Sequence, residues 1–147
     1  MSRLRNRVDD WRFGTIDESA ALGRRGEQAA ARLLRQRGLK VIVESESDRR
    51  GEIDLIAMGR GSRLMVFVEV KTLASLRPGH PADRVDEAKQ RRITRAALRY
   101  LRRQRLIGVP CRFDVVAVWW PRHERRPTKI EHYEAAFEAQ GVDSFFT

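Results

Sequence analysis

Residues 111–120 read CRFDVVAVWW, and the second half of that run has no polar side. A strand with one face in water alternates apolar and polar residues, whereas a strand covered on both faces reads as a continuous apolar run. The run therefore demands a central strand with other elements packed above and below it. The remainder of the chain supplies them. LKVIVES (39–45), EIDLIAM (52–58) and RLMVFVEVKT (63–72) are β-rich, and the glycines of GRGS (59–62) join the last two as a hairpin. A final short strand is expected near IEHYEAAF (130–137). Thr15 and Glu18 have the spacing of a capping box ahead of a helix with Leu22, Ala29, Ala30, Leu33 and Leu34 on one stripe and Gly38 as its stop. A second helix is expected from about Asp83 to Gln104, with Ile93, Ala97, Tyr100 and Leu101 as its apolar stripe. LASLRPGHPAD (73–83), with two prolines and a glycine, reads as a loop. The order α-β-β-β-α-β-β predicts an α/β fold: a central mixed sheet of about five strands flanked by helices.

The length, 147 residues, suits one domain, expected over 15–137, with a C-terminal tail over 138–147. Residues 1–14 interleave Arg3, Arg5, Arg7 and Arg12 with Trp11 and Phe13, which fits either a flexible basic arm that touches nucleic acid or a frayed terminus. No stretch approaches the run of about 18 apolar residues that spans a membrane. The N-terminus lacks the apolar segment of a secretory signal, and Asp9 and Asp10 argue against an acid-poor transit peptide, so a cytoplasmic protein is expected.

Thirty basic residues against twenty acidic ones give a net charge of +10. Such an excess suits a partner rich in phosphate, because each neutralised phosphate releases a condensed counterion. Twenty-six of the thirty are Arg and four are Lys, at positions 40, 71, 89 and 129, so any Lys invites a reason. The lone Cys111 excludes an internal disulfide and a cysteine-built metal site, and is expected as a small buried residue at a strand start. His80, His123 and His132 have no ligand spacing. A metal here would be held by carboxylates, which favours Mg²⁺ or Mn²⁺ over zinc.

Carboxylates are present in a suggestive pattern. Residues i and i+2 of a strand share a face, so Glu52 pairs with Asp54 and Glu69 with Lys71, while Ile53, Leu55, Val68 and Val70 turn the other way. If the two strands pair through GRGS, three carboxylates and an ammonium converge beside an apolar layer. Crowded carboxylates repel, and a divalent cation removes that penalty. Glu27 borders the apolar stripe of the first helix and is placed to point into the same region. Phosphodiester hydrolysis needs an activated water and compensation of charge at the phosphoryl oxygens, which a carboxylate-bound Mg²⁺ and a nearby ammonium can supply. A guanidinium, planar and permanently charged, would serve less well than Lys71. The alternative for each residue alone is an ordinary ion pair on a solvated strand.

GEIDLIA (51–57), FVEVK (67–71) and CRFDVVAV (111–118), with GRRGEQAAARLL (23–34) and KQRRI (89–93), resemble the signature segments of the YraN-like family of small bacterial proteins. That family is similar to archaeal Holliday-junction resolvases within the PD-(D/E)xK, restriction-endonuclease-like superfamily. The resemblance covers about residues 20–137. It implies a restriction-endonuclease-like fold, with Asp54 as the motif aspartate, Glu69 as the second metal ligand and Lys71 as the motif lysine. It also implies that Glu27 completes the metal site and that Gln90, on the helix after the Glu-x-Lys strand, assists. Ile53 stands where the motif has Pro, a tolerated departure. Asp114 is read as structural, with a part in orienting Lys71 as the alternative, and Trp119 and Trp120 as core.

The expected function is Mg²⁺- or Mn²⁺-dependent endonuclease action on branched or structured DNA, with Arg24, Arg25, Arg91, Arg92 and Arg95 steering phosphates. The resemblance leaves room for a homodimer, since resolvases cut two strands symmetrically. The alternative is a non-catalytic binder of DNA or RNA that keeps the nuclease fold.

Overall fold

A computed structural model describes residues 9–47, 52–75 and 85–141, apart from the side chains at 46, 47 and 52. Two long helices among the described residues, α1 (Leu22–Gln36) and α2 (Glu87–Arg103), accompany five strands: β1 (Leu39–Ser47), β2 (Glu52–Gly59), β3 (Met65–Leu73), β4 (Cys111–Trp119) and β5 (Lys129–Phe137). They form one mixed sheet in the order β1-β2-β3-β4-β5. All neighbours are antiparallel except β3 and β4, which run parallel from Met65↔Cys111 to Leu73↔Trp119. A parallel pair needs a long crossover, and the segment carrying α2 provides it.

The expected two-sided burial of β4 is observed. Phe113 and Val115 enter a cluster with Ile93, Ala97, Tyr100 and Leu101 of α2. Val116, Val118 and Trp120 enter a second cluster with Ala29, Ala30, Ala31 and Leu34 of α1. The helices thus cover opposite faces, and Trp119 and Trp120 are core residues, as expected. Cys111 opens β4 but is only half-buried; burial still pushes its thiol up to about 11, so it is unreactive at neutral pH.

Two helix starts differ from expectation. The Thr15–Glu18 box does not cap α1. The Asp17 carboxylate instead accepts from the Ser19 N–H (2.9 Å) and hydroxyl (2.6 Å), a local turn that competes with a helical continuation. The helix begins later, at Leu22, with no side-chain cap on Ala21. Gly38 ends it as expected, at φ +86°. α2 begins at Glu87 because Asp86 caps it, accepting from the Lys89 N–H at 2.8 Å. The expected start at Asp83 and most of the 73–83 loop lie outside the described residues. Residues 9–13, assigned to the basic arm, are helical, and Asp10 pairs with Arg32 of α1.

One glycine is required by packing. A Cβ on Gly26 would lie 1.8 Å from the Thr72 Oγ1, so α1 can approach β3 this closely only without a side chain there.

Candidate functional site

The β2–β3 ladder runs from Met58↔Met65 to Leu55↔Val68, where regular pairing ends. Beyond it the Val70 N–H donates to the Asp54 Oδ2, at 2.8 Å. The two strands open there, and a carboxylate occupies the gap. The strict alternation expected for β2 fails across this point: Ile53 joins the α2-side cluster and Leu55 the α1-side cluster. A strand freed from its neighbour can twist more, so the two residues no longer share a face. Val68 and Val70 do both pack on the α1 side, as expected.

Asp54 and Glu69 act directly on each other, carboxylate against carboxylate. Burial, and then the neighbouring Glu69 charge, push the Asp54 carboxyl up to about 8, with a further contribution from Glu27. The hydrogen bond from Val70 works the other way without offsetting them. Glu69 itself is buried. Its Oε1 lies 3.8 Å from the Lys71 Nζ and 2.5 Å from the Lys89 Nζ. Burial and the adjacent Lys89 charge draw the Lys71 ammonium below its usual value, against the pull of Glu69 and Asp54. Burial opposes charge on Lys89 too, but its hydrogen bond to Glu69 and the Glu69 charge outweigh that, so it lies above its usual value.

Lys89 was not anticipated from the sequence. Its signals were its type, one of four lysines among thirty basic residues, and its place at the head of KQRRI (89–93). The residue expected from this helix, Gln90, is placed differently: its amide donates to the Val85 carbonyl at 2.8 Å. Glu27 accepts from the Ser45 hydroxyl at 2.9 Å and from Arg24 at 3.3 Å, beside Asp54 but not in a single cluster with it. Ser45 is a second unanticipated neighbour. It sits in β1 at φ +57°, an irregularity for a non-glycine residue that aims its hydroxyl at Glu27. The side chain of Glu52 lies outside the described residues.

Of the arginines expected to steer phosphates, three are engaged within the chain. Arg24 lies 3.5 Å from Glu44 as well as beside Glu27, and Arg91 3.9 Å from Glu87. The Arg25 guanidinium lies over the Trp120 ring, 5.0 Å from its centroid. Arg92 and Arg95 are exposed on α2.

Asp114 is far from this chemistry in its contacts. It is fully buried, accepts a two-pronged pair of bonds from Arg112 (2.8 and 2.9 Å), a bond from the Ala135 N–H (2.9 Å), and lies 2.7 Å from the His132 Nε2. Burial alone would raise its carboxyl, but these partners hold it below the usual value. It fills the irregularity where β5 slips against β4 between Phe113 and Val115, so its role is structural.

A half-buried Asp54 driven up to about 8 and a buried Glu69 beside it form a carboxylate pair whose crowding a cation would relieve. Among the described residues no three His, Cys, Asp or Glu side chains gather closely enough to hold an ion. Mg²⁺ fits such a set, because it takes one or two carboxylates and completes its shell with water and phosphate oxygens. Among the described residues, no helix is long and apolar enough to cross a membrane.

A family profile described as "Uncharacterised protein family UPF0102" matches residues 26–118. A UPF0102 protein of Rhodopirellula baltica is 72% identical over 144 residues, covering 98% of this chain and 86% of that protein. One from Syntrophotalea carbinolica is 41% identical over 121 residues, 82% of this chain and 94% of its own. Another, from Symbiobacterium thermophilum, is 49% identical over 100 residues, 68% of this chain and 83% of its own.

Proposed function

Taking as premise that the chain belongs to the UPF0102 (YraN-like) family, we propose that it is a Mg²⁺- or Mn²⁺-dependent endonuclease acting on branched or structured DNA. The observation that carries this reading is the Asp54 carboxylate at the opening between β2 and β3, crowded by the adjacent Glu69, with Lys71 beside Glu69. Asp54 and Glu69 would hold the ion, with Glu27 reaching it through water. When bound, the ion lowers the pKa of its water and acts as a Lewis acid toward the phosphoryl oxygens.

The side chains supply the rest. Lys71, partly desolvated, is suited to orient the attacking water and to meet negative charge as it develops. Lys89 neutralises Glu69 at the same oxygen that Lys71 approaches, and Gln90 braces the start of α2 through Val85. Arg92 and Arg95 present exposed positive charge, while Arg24, Arg25 and Arg91 act through the residues they hold. Branched DNA as substrate and a homodimer follow the likeness to junction resolvases, and a cytoplasmic location belongs to the same reading.

The test is cleavage of linear, flapped, splayed and four-way DNA with Mg²⁺ or Mn²⁺. Cutting of at least one structured substrate, abolished by chelation, is expected; binding without cutting across the panel overturns the proposal. That outcome would favour the second reading, a non-catalytic DNA or RNA binder. One observation supports it: the Lys89 ammonium already satisfies the Glu69 carboxylate, as a site that takes no metal requires.

A further inference from the structure

Three of the five arginines expected to meet phosphate are engaged inside the chain, yet the chain still carries a net charge of +10. Part of the remainder is concentrated at the far end of β1 and β2. A cavity of about 430 Å³ there is lined by Arg12, Arg35, Lys40 and Arg60, with Phe13 between them. It adjoins a second one of about 630 Å³, which shares Lys40 and Arg60 and adds Arg63. No acidic residue lines either cavity.

The fold assembles this surface from three places. The pairing Lys40↔Met58 sets Lys40 against the end of β2, where the hairpin projects Arg60 and Arg63. The end of α1 brings Arg35, whose guanidinium is fixed by the Phe13 carbonyl and the Glu44 carboxylate, each at 3.1 Å. Arg12 lies over the Phe13 ring, 5.3 Å from its centroid. Lys40, Arg60 and Arg63 are exposed, and among the described residues none of the three pairs with a carboxylate. Arg35 is held by Glu44, but Arg12, Lys40, Arg60 and Arg63 are four like charges close together that repel one another, and a polyanion relieves that repulsion while releasing its own counterions.

We propose that Arg12, Arg35, Lys40, Arg60 and Arg63 form a second docking surface, distinct from the Asp54–Glu69 site, for the sugar-phosphate backbone of duplex DNA. The choice of duplex DNA rests on the nuclease reading above. Arg60 lies six residues beyond Asp54 along β2, roughly 20 Å at ~3.3 Å per strand residue. That is about six nucleotides of one strand at ~3.4 Å per phosphate. The surface grips the backbone of an arm while the carboxylates face a phosphate about half a helical turn away. Side chains here read charge and spacing, not sequence.

The test is fluorescence anisotropy of a labelled duplex with the full chain in EDTA, so that binding is read without cleavage. The double variant Lys40→Glu with Arg60→Glu is compared with Arg122→Glu with Arg125→Glu, an equal charge change on the exposed β4–β5 turn. Melting temperatures check that both fold, and Lys40→Gln with Arg60→Gln removes the charge without reversing it. The groove variants are expected to weaken binding at least tenfold. Their log affinity should fall less steeply with log salt, by ~0.9 for each phosphate no longer neutralised. The turn variant should bind within about twofold of wild type. Equal weakening in both double variants overturns the proposal, as does unchanged binding by the groove variants. Preference of the wild type for an acidic protein or single-stranded RNA over the duplex overturns it too. Binding is read in EDTA without cleavage, so an inactive nuclease site leaves this result standing.

Discussion

Lys71 and Lys89 flank the same carboxylate and are driven in opposite directions, Lys71 below its usual value and Lys89 above it. The asymmetry assigns them different work. Lys89 is the counter-charge of Glu69, and Lys71 is the looser ammonium, free to meet a water or a phosphate. Lys71→Ala should lower cleavage by about a hundredfold or more, the scale of losing one preorganised electrostatic donor, with a smaller change in substrate affinity. Lys71→Arg should not restore the rate, since a guanidinium keeps the charge without the compact geometry. An active Lys71→Ala protein in single-turnover assays would sink the assignment. Asp54 gives a second prediction. Its carboxyl is held above its unfolded value, so the folded chain binds the extra proton between about 3.8 and 8, and metal-free stability falls as pH rises through that window. Asp54→Asn should remove that fall, raise the metal-free melting temperature at pH 8, and weaken Mn²⁺ binding in calorimetry. Asp54, Glu69 and Lys71 were legible because strand periodicity ties i to i+2. Lys89 and Ser45 were not: one lies on a helix rich in exposed or partly exposed arginines from which periodicity does not tell it apart, the other depends on a backbone irregularity that leaves no mark in a serine.

Among the elements, α1 shows what local propensity misses. Gly23 and Gly26 both lie in this helix, where alanine is intrinsically better by about 1 kcal/mol. Nothing approaches a Cβ on Gly23, so Gly23→Ala should stabilise by roughly 0.5–1 kcal/mol. At Gly26 the added methyl meets Thr72, a stiff β-branched side chain, and Gly26→Ala should destabilise by roughly 1–3 kcal/mol. Opposite shifts in thermal melting check the pair. The late start of α1 was illegible for a related reason: an aspartate that closes its own turn outcompeted a well-spaced capping box. On β4 and β5 the Asp114 carboxylate depends on being charged. Because its folded value is depressed, the stability it contributes is present above the unfolded value and is lost as pH falls through the folded one. Asp114→Ala strands Arg112 and His132 and should cost about 3–5 kcal/mol in denaturant unfolding at neutral pH. The loss should shrink in acid.

At the scale of the whole molecule, the sheet and its two covering helices were readable from one apolar run and from the alternation of β-rich and helix-periodic segments. Strand order was not, because periodicity names a strand's faces but not its neighbours. The charge excess was equally plain, while its distribution was hidden. Arg24 and Arg25 look like free phosphate contacts until Glu27, Glu44 and Trp120 are seen beside them. The parallel pairing of β3 with β4 also has a consequence for how the chain reaches its native state. β1, β2 and β3 follow one another as a meander, so the carboxylate pair assembles from neighbours in sequence. The strand that buries its far side begins with Cys111 opposite Met65, nearly a third of the chain away. Closing that distance is the entropically demanding event, and topologies dominated by such distant pairings fold in milliseconds to seconds. Val116→Ala, a change in β4, should therefore slow refolding in stopped-flow more than an equally destabilising change in the β1–β2 hairpin. The site is built early and locally, and the wall that dries it arrives last.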